Sequence, residues 1–329
     1  MLSRIIQRSW YQPFDVATFL LLPFSVLFCG LSILRRLCYH AEIFKTTRLQ
    51  VPVIVVGNIT VGGTGKTPLV IALVQYLKAR GLKPGVISRG YGGKSPSWPQ
   101  AVSHDSNPLM VGDEAVIIAN RCRCPVSVGP DRVQAAQALL EQHQCDVIVS
   151  DDGLQHYALA RDIEIVVIDG QRRLGNGLCL PAGPLRELPS RLKSVDFVVA
   201  NGKALENEFN MELKCYAFYH VMDETKLKPL NAFEGQSVHA VAGIGNNDRF
   251  FMALQDLGIQ TKSCSFPDHY RYKRRDVTFN DHMPVLMTEK DAVKCRRFSG
   301  IDAWYLRIDA LLPNQFYEQL NESLRNMHG

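Results

Sequence analysis

The sequence predicts an α/β protein: a parallel sheet with helices on both faces, a smaller second α/β lobe, and an apolar, membrane-associated helix ahead of both. Three observations predict it. Residues 53–68, VIVVGNITVGGTGKTP, pass from a β-branched apolar run through a glycine-rich turn into Gly-Lys-Thr and a helical stretch. From Gln50 onward, short apolar runs alternate with helical segments, as they do in parallel sheets covered on both faces. Residues 16–34 carry no charge at all.

The first of these is the phosphate-binding motif of strand, glycine turn, Gly-Lys-Thr and helix. Thr60, Val61, Gly62, Gly63, Thr64, Gly65, Lys66 and Thr67 form the candidate nucleotide cradle. Glycines let successive N–H groups curl around phosphate oxygens, and the helix start adds unpaired donors and a positive dipole end. Lys66 is expected to reach the β- and γ-phosphates, and the Thr67 hydroxyl to ligate Mg²⁺. Pro68 falls in the first helical turn, where its missing N–H costs nothing. One departure stands out: the general motif has its first glycine where this chain has Thr60.

Residues 16–34 would form a helix about 28 Å long, close to the roughly 30 Å of a bilayer's hydrocarbon core. Thr18, Ser25 and Ser32 recur at spacing seven and so share one weakly polar stripe. Three readings are open: a helix lying in the membrane interface, a full span, and a buried core helix. No small-residue cleavage site follows the run, which argues against a removed signal peptide. The charge is concentrated here too. Arg4, Arg8, Arg35, Arg36, Lys45 and Arg48 oppose Asp15 and Glu42, so most of the +5 net charge sits in the first fifty residues. The body therefore lacks the basic surface a nucleic-acid binder needs. Nine scattered cysteines form no disulfide framework, and Cys122-x-Cys124 without a second pair makes a poor zinc site.

Taken in order, residues 84–88 read as a strand opening into the glycine-rich loop Arg89–Lys94, and the proline-bearing stretch to Pro108 reads as loop. Residues 115–119 suit a helix whose first turn carries Asp113 and Glu114. A strand at 126–128 and a helix from Pro130 to about His143 follow. Residues 146–150 form an apolar strand ending in Asp151 and Asp152, where a phosphate-loop enzyme holds its metal. Strands at 163–169 and 197–200 flank a proline- and glycine-rich loop at 180–187. The expected division is an N-terminal helix at 1–49, a nucleotide-binding lobe at 50–205, a charged, irregular linker at 206–235 and a C-terminal lobe at 236–329. That lobe is read as strands at 238–242, 284–287 and 304–308 with helices at 248–257 and 314–327.

GNITVGGTGKTP, SRGYGG, GDEA, GPDR, SDDGLQHY, LPAGPLRE, AGIGN, FPDHY and TEKDAVK follow one another between about residues 50 and 295. In this order they resemble the tetraacyldisaccharide 4'-kinase (lipid A 4'-kinase) family, in which Thr60 is normal. Asn247 departs from the proline often found after AGIGN. The resemblance implies a P-loop kinase-like fold using ATP and Mg²⁺. It implies transfer of the γ-phosphate to the 4'-hydroxyl of an acylated glucosamine disaccharide 1-phosphate. The partners implied are that membrane-embedded glycolipid and the membrane surface, on the cytoplasmic face of the inner membrane, with neither nucleic acid nor a protein partner expected.

On that basis Asp113 is the expected acceptor of the sugar hydroxyl's proton, paired with His269 from the second lobe. Asp151 and Asp152 hold Mg²⁺, with Gln155 nearby. Arg132 and Glu187 support the site, and Tyr91 and Lys94 contact the acceptor or form a lid. Each has a plainer reading. Gly-Asp-Glu is also a helix cap, Pro-Asp-His an exposed turn, the aspartates strand-end caps, and Arg132 with Glu187 a structural ion pair. Residues 288–291 and Asn201 read as solvated and charged rather than as contacts to base or acceptor. The rival functions are a phosphate-loop NTPase switch, which needs no acceptor base, and a soluble small-molecule kinase, for which the N-terminal helix would be core.

Overall fold

The computed structural model describes residues 9–11 and 16–327; Arg4, Arg8 and Asp15 of the N-terminal charge count lie outside them. A helix, α1, runs over Val16–His40. Then follow β1 Val53–Gly57, α2 Lys66–Ala79, β2 Pro84–Ser88, β3 Gln100–Val102, α3 Pro108–Val111, α4 Asp113–Cys122, β4 Val126–Val128, α5 Arg132–Gln142, β5 Val147–Asp151, β6 Ile163–Asp169, β7 Phe197–Asn201 and β8 Phe209–His220. The chain continues through β9 Leu227–Lys228, β10 Ser237–Ala242, α6 Asn247–Asp256, β11 Gln260–Ser265, β12 Val285–Thr288, α7 Glu289–Cys295, β13 Ala303–Leu311 and α8 Asn314–Arg325.

Among the described residues these strands form one sheet, ordered β11-β10-β12-β13-β8-β7-β6-β1-β5-β2-β4-β3, with β9 beside β8. From β8 to β4 every neighbour is parallel, and so is every neighbour from β11 to β13. The antiparallel pair β13–β8 joins the two halves. Alternation along β1 sends Ile54 and Val56 to one face, under α2, α4 and α8, and Val53 and Val55 to the other, under α5. All four are buried, and burial of each such side chain contributes about 1.5–3 kcal/mol. Strands covered on both sides read as unbroken apolar runs, which is why β1, β5 and β6 are legible as sequence.

The segment expected as an irregular linker instead holds twelve-residue β8. Its first residues pair with β7, and Glu212–His220 pair with β13. Its charges alternate with buried Met211 and Ala217, the pattern of a half-covered strand. The terminal helix α8 returns to the first half of the sheet, where Phe316 meets Phe197 and Phe209 and Tyr317 stacks on Tyr76 at 4.3 Å.

Helix α1 lies on the surface of the body with the hydroxyl stripe facing inward. Thr18 and Ser25 are its buried residues. Ser25 Oγ donates to the Cys179 carbonyl at 2.6 Å, Ser32 Oγ to the Arg186 carbonyl at 3.3 Å, and Arg36 Nη2 to Ser194 Oγ at 3.0 Å. The opposite face leaves Phe19, Leu20, Phe24, Leu27 and Leu31 exposed. Of its most apolar 18-residue window, 11% is buried, so the core-helix reading does not hold.

Candidate active site

Both halves of the sheet direct their parallel strands toward one cleft, and most candidate residues sit at the strands' C-terminal ends or on the loops and helix starts beyond them. Open α/β sheets bind ligands there. The phosphate loop follows β1, Arg89–Lys94 follows β2, Asp151-Asp152 closes β5, and Asn201 ends β7. From the second half come the loop after β10, the turn Asp268-His269 after β11, and the start of α7 after β12.

The phosphate loop is held by backbone and amide contacts. Val61 N donates to the Pro184 carbonyl at 2.8 Å, and Arg186 N to the Ile59 carbonyl at 2.7 Å. Thr60 is buried in an antiparallel bridge with Leu185 and keeps an ordinary negative φ. The loop therefore needs no glycine at that position, which accounts for the departure from the general motif. Asn58 Nδ2 reaches the Gly62 carbonyl and Thr64 Oγ1, both at 3.4 Å, and Asn201 Nδ2 donates to the Thr64 carbonyl at 3.1 Å. Gly65 has φ 94°, and a Cβ there would come within 2.8 Å of Asn201 Nδ2. Glycine is required at this point for both conformation and space.

Lys66 Nζ lies 3.4 Å from Asp152 Oδ1, and Arg186 Nη1 lies 3.1 Å from the same oxygen. Burial raises the Asp152 pKa, but Lys66 and Arg186 outweigh it and hold the carboxyl below its ordinary value. Asp151 is the opposite case. Burial, then the charges of Glu114 and Asp152, push it up to about 7 against Lys66 and Arg132. Its Oδ2 accepts from Ser88 Oγ at 3.4 Å, while its buried Oδ1 has no hydrogen-bond partner. An unsatisfied carboxylate oxygen in an acidic pocket beside the phosphate loop fits a hard divalent cation. No cluster of three or more His, Cys, Asp or Glu side chains converges as a metal cage among the described residues. Mg²⁺ as a class takes one or two carboxylates and completes its shell with phosphate oxygens and water.

Across the cleft, His269 Nδ1 lies 3.4 Å from Asp113 Oδ2. Asp113 is the first residue of α4, and burial alone would raise its pKa. His269 and then Lys290 outweigh that and hold it below its ordinary value. His269 and Asp152 both have φ near +50° (56° and 50°), a left-handed conformation that costs L-residues roughly 1–2 kcal/mol and collects at functional sites. The Tyr91 ring stands edge-on to His269 at 5.1 Å, on a loop tied by Gly93 N to the Gly90 carbonyl and Lys94 N to the Leu109 carbonyl.

Arg132 and Glu187 do not pair with each other. Buried Arg132 donates Nη2 to the Asp152 carbonyl at 3.1 Å, and burial lowers its pKa to about 10. Glu187 accepts from Gln155 Nε2 at 2.7 Å and from the Tyr157 hydroxyl, with Arg191 Nε at 3.4 Å. Gln155 also donates to the Asn58 carbonyl at 3.1 Å. Beside Glu187 a groove of about 400 Å³ opens between α1 and the body, lined by Ser32, Ile33, Arg36, Leu37, His40 and Leu188 among others.

Sequence reasoning missed Asn58, Glu114, Arg186 and Lys290. The reading of residues 288–291 and Asn201 as solvated is overturned. Asn201 braces the phosphate loop, Asp291 is fully buried, and Lys290 Nζ reaches Glu114, Asp268 and Asp113. For Asn58, Asn201 and Lys290 the available signal was position, since each stands at or just past a strand's C-terminal end, whereas Glu114 lies in a helix start and Arg186 in the long loop between β6 and β7.

The fold and cleft together define a phosphate-loop phosphotransferase, with a nucleotide cradle in one half and a carboxylate–imidazole pair shared between the two. Residues 17–325 match the family described as Tetraacyldisaccharide-1-P 4'-kinase, LpxK. The tetraacyldisaccharide 4'-kinase of Nitrosococcus oceani is 52% identical over 320 residues, covering 97% of this chain and 94% of the relative. That of Hahella chejuensis is 48% identical over 329 residues, covering 98% and 97%. The crystal structure of the "apo" form of LpxK from Aquifex aeolicus in complex with ATP superposes with a TM-score of 0.81 at 29% identity, covering 94% of this chain and 99% of that one. The chain belongs to the tetraacyldisaccharide-1-P 4'-kinase family.

Proposed function

We propose a division of labour for this chain, which as a tetraacyldisaccharide 4'-kinase carries out the ATP-dependent 4'-phosphorylation step of lipid A synthesis. The observation that carries it is the 3.4 Å approach of His269 to Asp113 across the cleft from the phosphate loop. Phosphoryl transfer is mostly positioning and charge neutralisation, so one well-placed proton acceptor is enough. Asp113 accepts the proton of the sugar 4'-hydroxyl, and His269 orients that carboxylate and shares the proton. Residues 60–67 cradle the triphosphate, with Lys66 exchanging its contact to Asp152 for phosphate oxygens.

Thr67, Asp151 and Asp152 would hold Mg²⁺, which when bound neutralises charge on the phosphates. Arg186 and Arg132 fix Asp152, and Glu187 fixes Gln155 beneath the phosphate loop. Tyr91 and Lys94 contact the acceptor from the loop after β2.

The acceptor is a membrane-embedded glycolipid, and α1 brings the enzyme to it. Hydroxyls on one face dock the helix to the body from Ser25 to Ser32, with Arg36 extending the contact. A segment tied in this way cannot pass through a bilayer, so α1 lies in the interface with its apolar face in lipid. Arg35, Lys45 and Arg48 add attraction to anionic headgroups on the cytoplasmic face of the inner membrane. The groove beside Glu187 leads acyl chains from the membrane toward the cleft.

The test is transfer of label from γ-labelled ATP to purified disaccharide 1-phosphate in detergent micelles. A labelled bisphosphorylated glycolipid supports the reading. Slow ATP hydrolysis with no labelled lipid, the behaviour of a switch, refutes it.

A further inference from the structure

Lys290 has no part in the assignments above, yet it occupies the middle of the cleft. It stands in the first turn of α7, where Thr288 caps the helix by accepting from Asp291 N at 3.2 Å. That turn is rigid. Asp291 is fully buried, accepts from Gly243 N at 3.0 Å and from Thr288 Oγ1 at 2.6 Å, and pairs with Lys294 at 2.7 Å. The Lys290 stem is thereby aimed out of the second half of the sheet at the N-terminus of α4. Its ammonium lies 3.2 Å from Glu114 Oε1, 3.7 Å from Asp268 Oδ1 and 4.0 Å from Asp113 Oδ2. It is 19% exposed.

We propose that Lys290 is a positioning residue for phosphoryl transfer, its ammonium holding the Asp113 carboxylate and the Asp268-His269 turn at working distance across the cleft. Three carboxylates converge on this ammonium from two elements: Asp113 and Glu114 from α4, and Asp268 from the turn after β11. Without the cation they repel one another. Asp268 is released, and with it His269, whose left-handed backbone gives that turn no stability of its own. The repulsion also turns Asp113 away from the hydroxyl it serves. Burial would lower the Lys290 pKa, but the surrounding carboxylates, Glu114 first, raise it above the ordinary lysine value, so the charge persists at any pH where the enzyme works. The inference rests on Asp113 as proton acceptor, and Lys290 acts only through it.

The experiment compares the full-length chain with Lys290→Met, Lys290→Arg, Asp113→Asn and the double variant Asp113→Asn/Lys290→Met. It measures kcat and KM for both substrates with Mg²⁺ and micellar disaccharide 1-phosphate, together with ATP affinity and thermal unfolding. Lys290→Met should lower kcat roughly 10- to 100-fold, the scale of a misplaced catalytic group, with ATP affinity within about threefold. Lys290→Arg keeps the charge and should recover to within about fivefold of the parent. In the Asp113→Asn background, Lys290→Met should cost less than about threefold, because groups acting as a unit are not additive.

The inference is overturned if the full loss recurs in that background, if arginine is no better than methionine, or if ATP affinity falls as far as the rate. Should Lys290→Met fail to fold, Asp268→Asn provides the second readout. A severalfold fall in kcat at unchanged melting temperature supports the inference, and an unchanged rate overturns it. Parent-like turnover in Asp113→Asn would instead strike the assignment of Asp113 itself.

Discussion

Helix α1 gives the most quantitative handle on how this enzyme meets its lipid substrate. Leu20, Leu27 and Leu31 are 70%, 61% and 58% exposed on the face turned away from the body. Complete transfer of a leucine side chain from water contributes about 2 kcal/mol, so each contributes about 1.3 kcal/mol when its exposed fraction enters lipid. The triple variant Leu20→Ser/Leu27→Ser/Leu31→Ser should therefore lose about 4 kcal/mol, or roughly 10³-fold, in partition to vesicles. None of the three supports the body, so melting temperature in detergent-free buffer should hold steady. Vesicle co-sedimentation with the full chain, using liposomes of mixed zwitterionic and anionic lipid at fixed salt, measures the partition. Affinity within about threefold of the parent would refute an interfacial helix whose outward face is the anchor.

Gly65→Ala places a Cβ 2.8 Å from Asn201 Nδ2 at φ 94°. A left-handed alanine costs about 1–2 kcal/mol and the strained Asn201–Thr64 hydrogen bond about 1 more, so calorimetry should find ATP binding weakened on the order of 10²-fold. Arg121 on α4 is buried against Glu289, 3.0 Å away, and Asp309. Arg121→Met leaves Glu289 without its partner while Asp309 keeps Arg307 Nε at 3.4 Å, and should cost about 3 kcal/mol in urea unfolding, loosening the seam between the two halves. Asp113 gives a pH signature. Its folded pKa lies below the ordinary 3.8, so its ionised form contributes stability above about pH 4 that is lost as pH falls through the folded value. Asp113→Asn should thus be less stable than the parent at pH 7, and the difference should shrink as pH falls below about 4.

How much of this was legible in the sequence depended on how local each signal is. The phosphate loop, Asp151-Asp152 and the fully covered strands were read directly, because spacing along the chain alone specifies them. Strand β8 was not. It alternates Asn210, Glu212 and Lys214 with Met211 and Leu213, and the charges dominated the reading until β7 and β13 were seen on its two edges. Edge strand β11 buries little and carries no apolar run. The hydroxyls of α1 were legible as a stripe, but their direction required the Cys179 and Arg186 carbonyls they meet. Lys290 was misread for a related reason. A Glu-Lys-Asp run is usually a solvated face, and only the packing of α7 on α4 turns it toward acids far away in the chain.

The central claim is that two halves of one sheet deliver a carboxylate and an imidazole to the same acceptor oxygen. Single-turnover phosphoryl transfer by Asp113→Asn, His269→Gln and the double variant, at saturating ATP, tests it most directly. Each single change should slow transfer by roughly 10²–10⁴-fold with ATP affinity preserved, and the double variant should be little slower than the worse single. Losses that multiply in the double variant, or a His269→Gln enzyme that transfers at the parent rate, would contradict it.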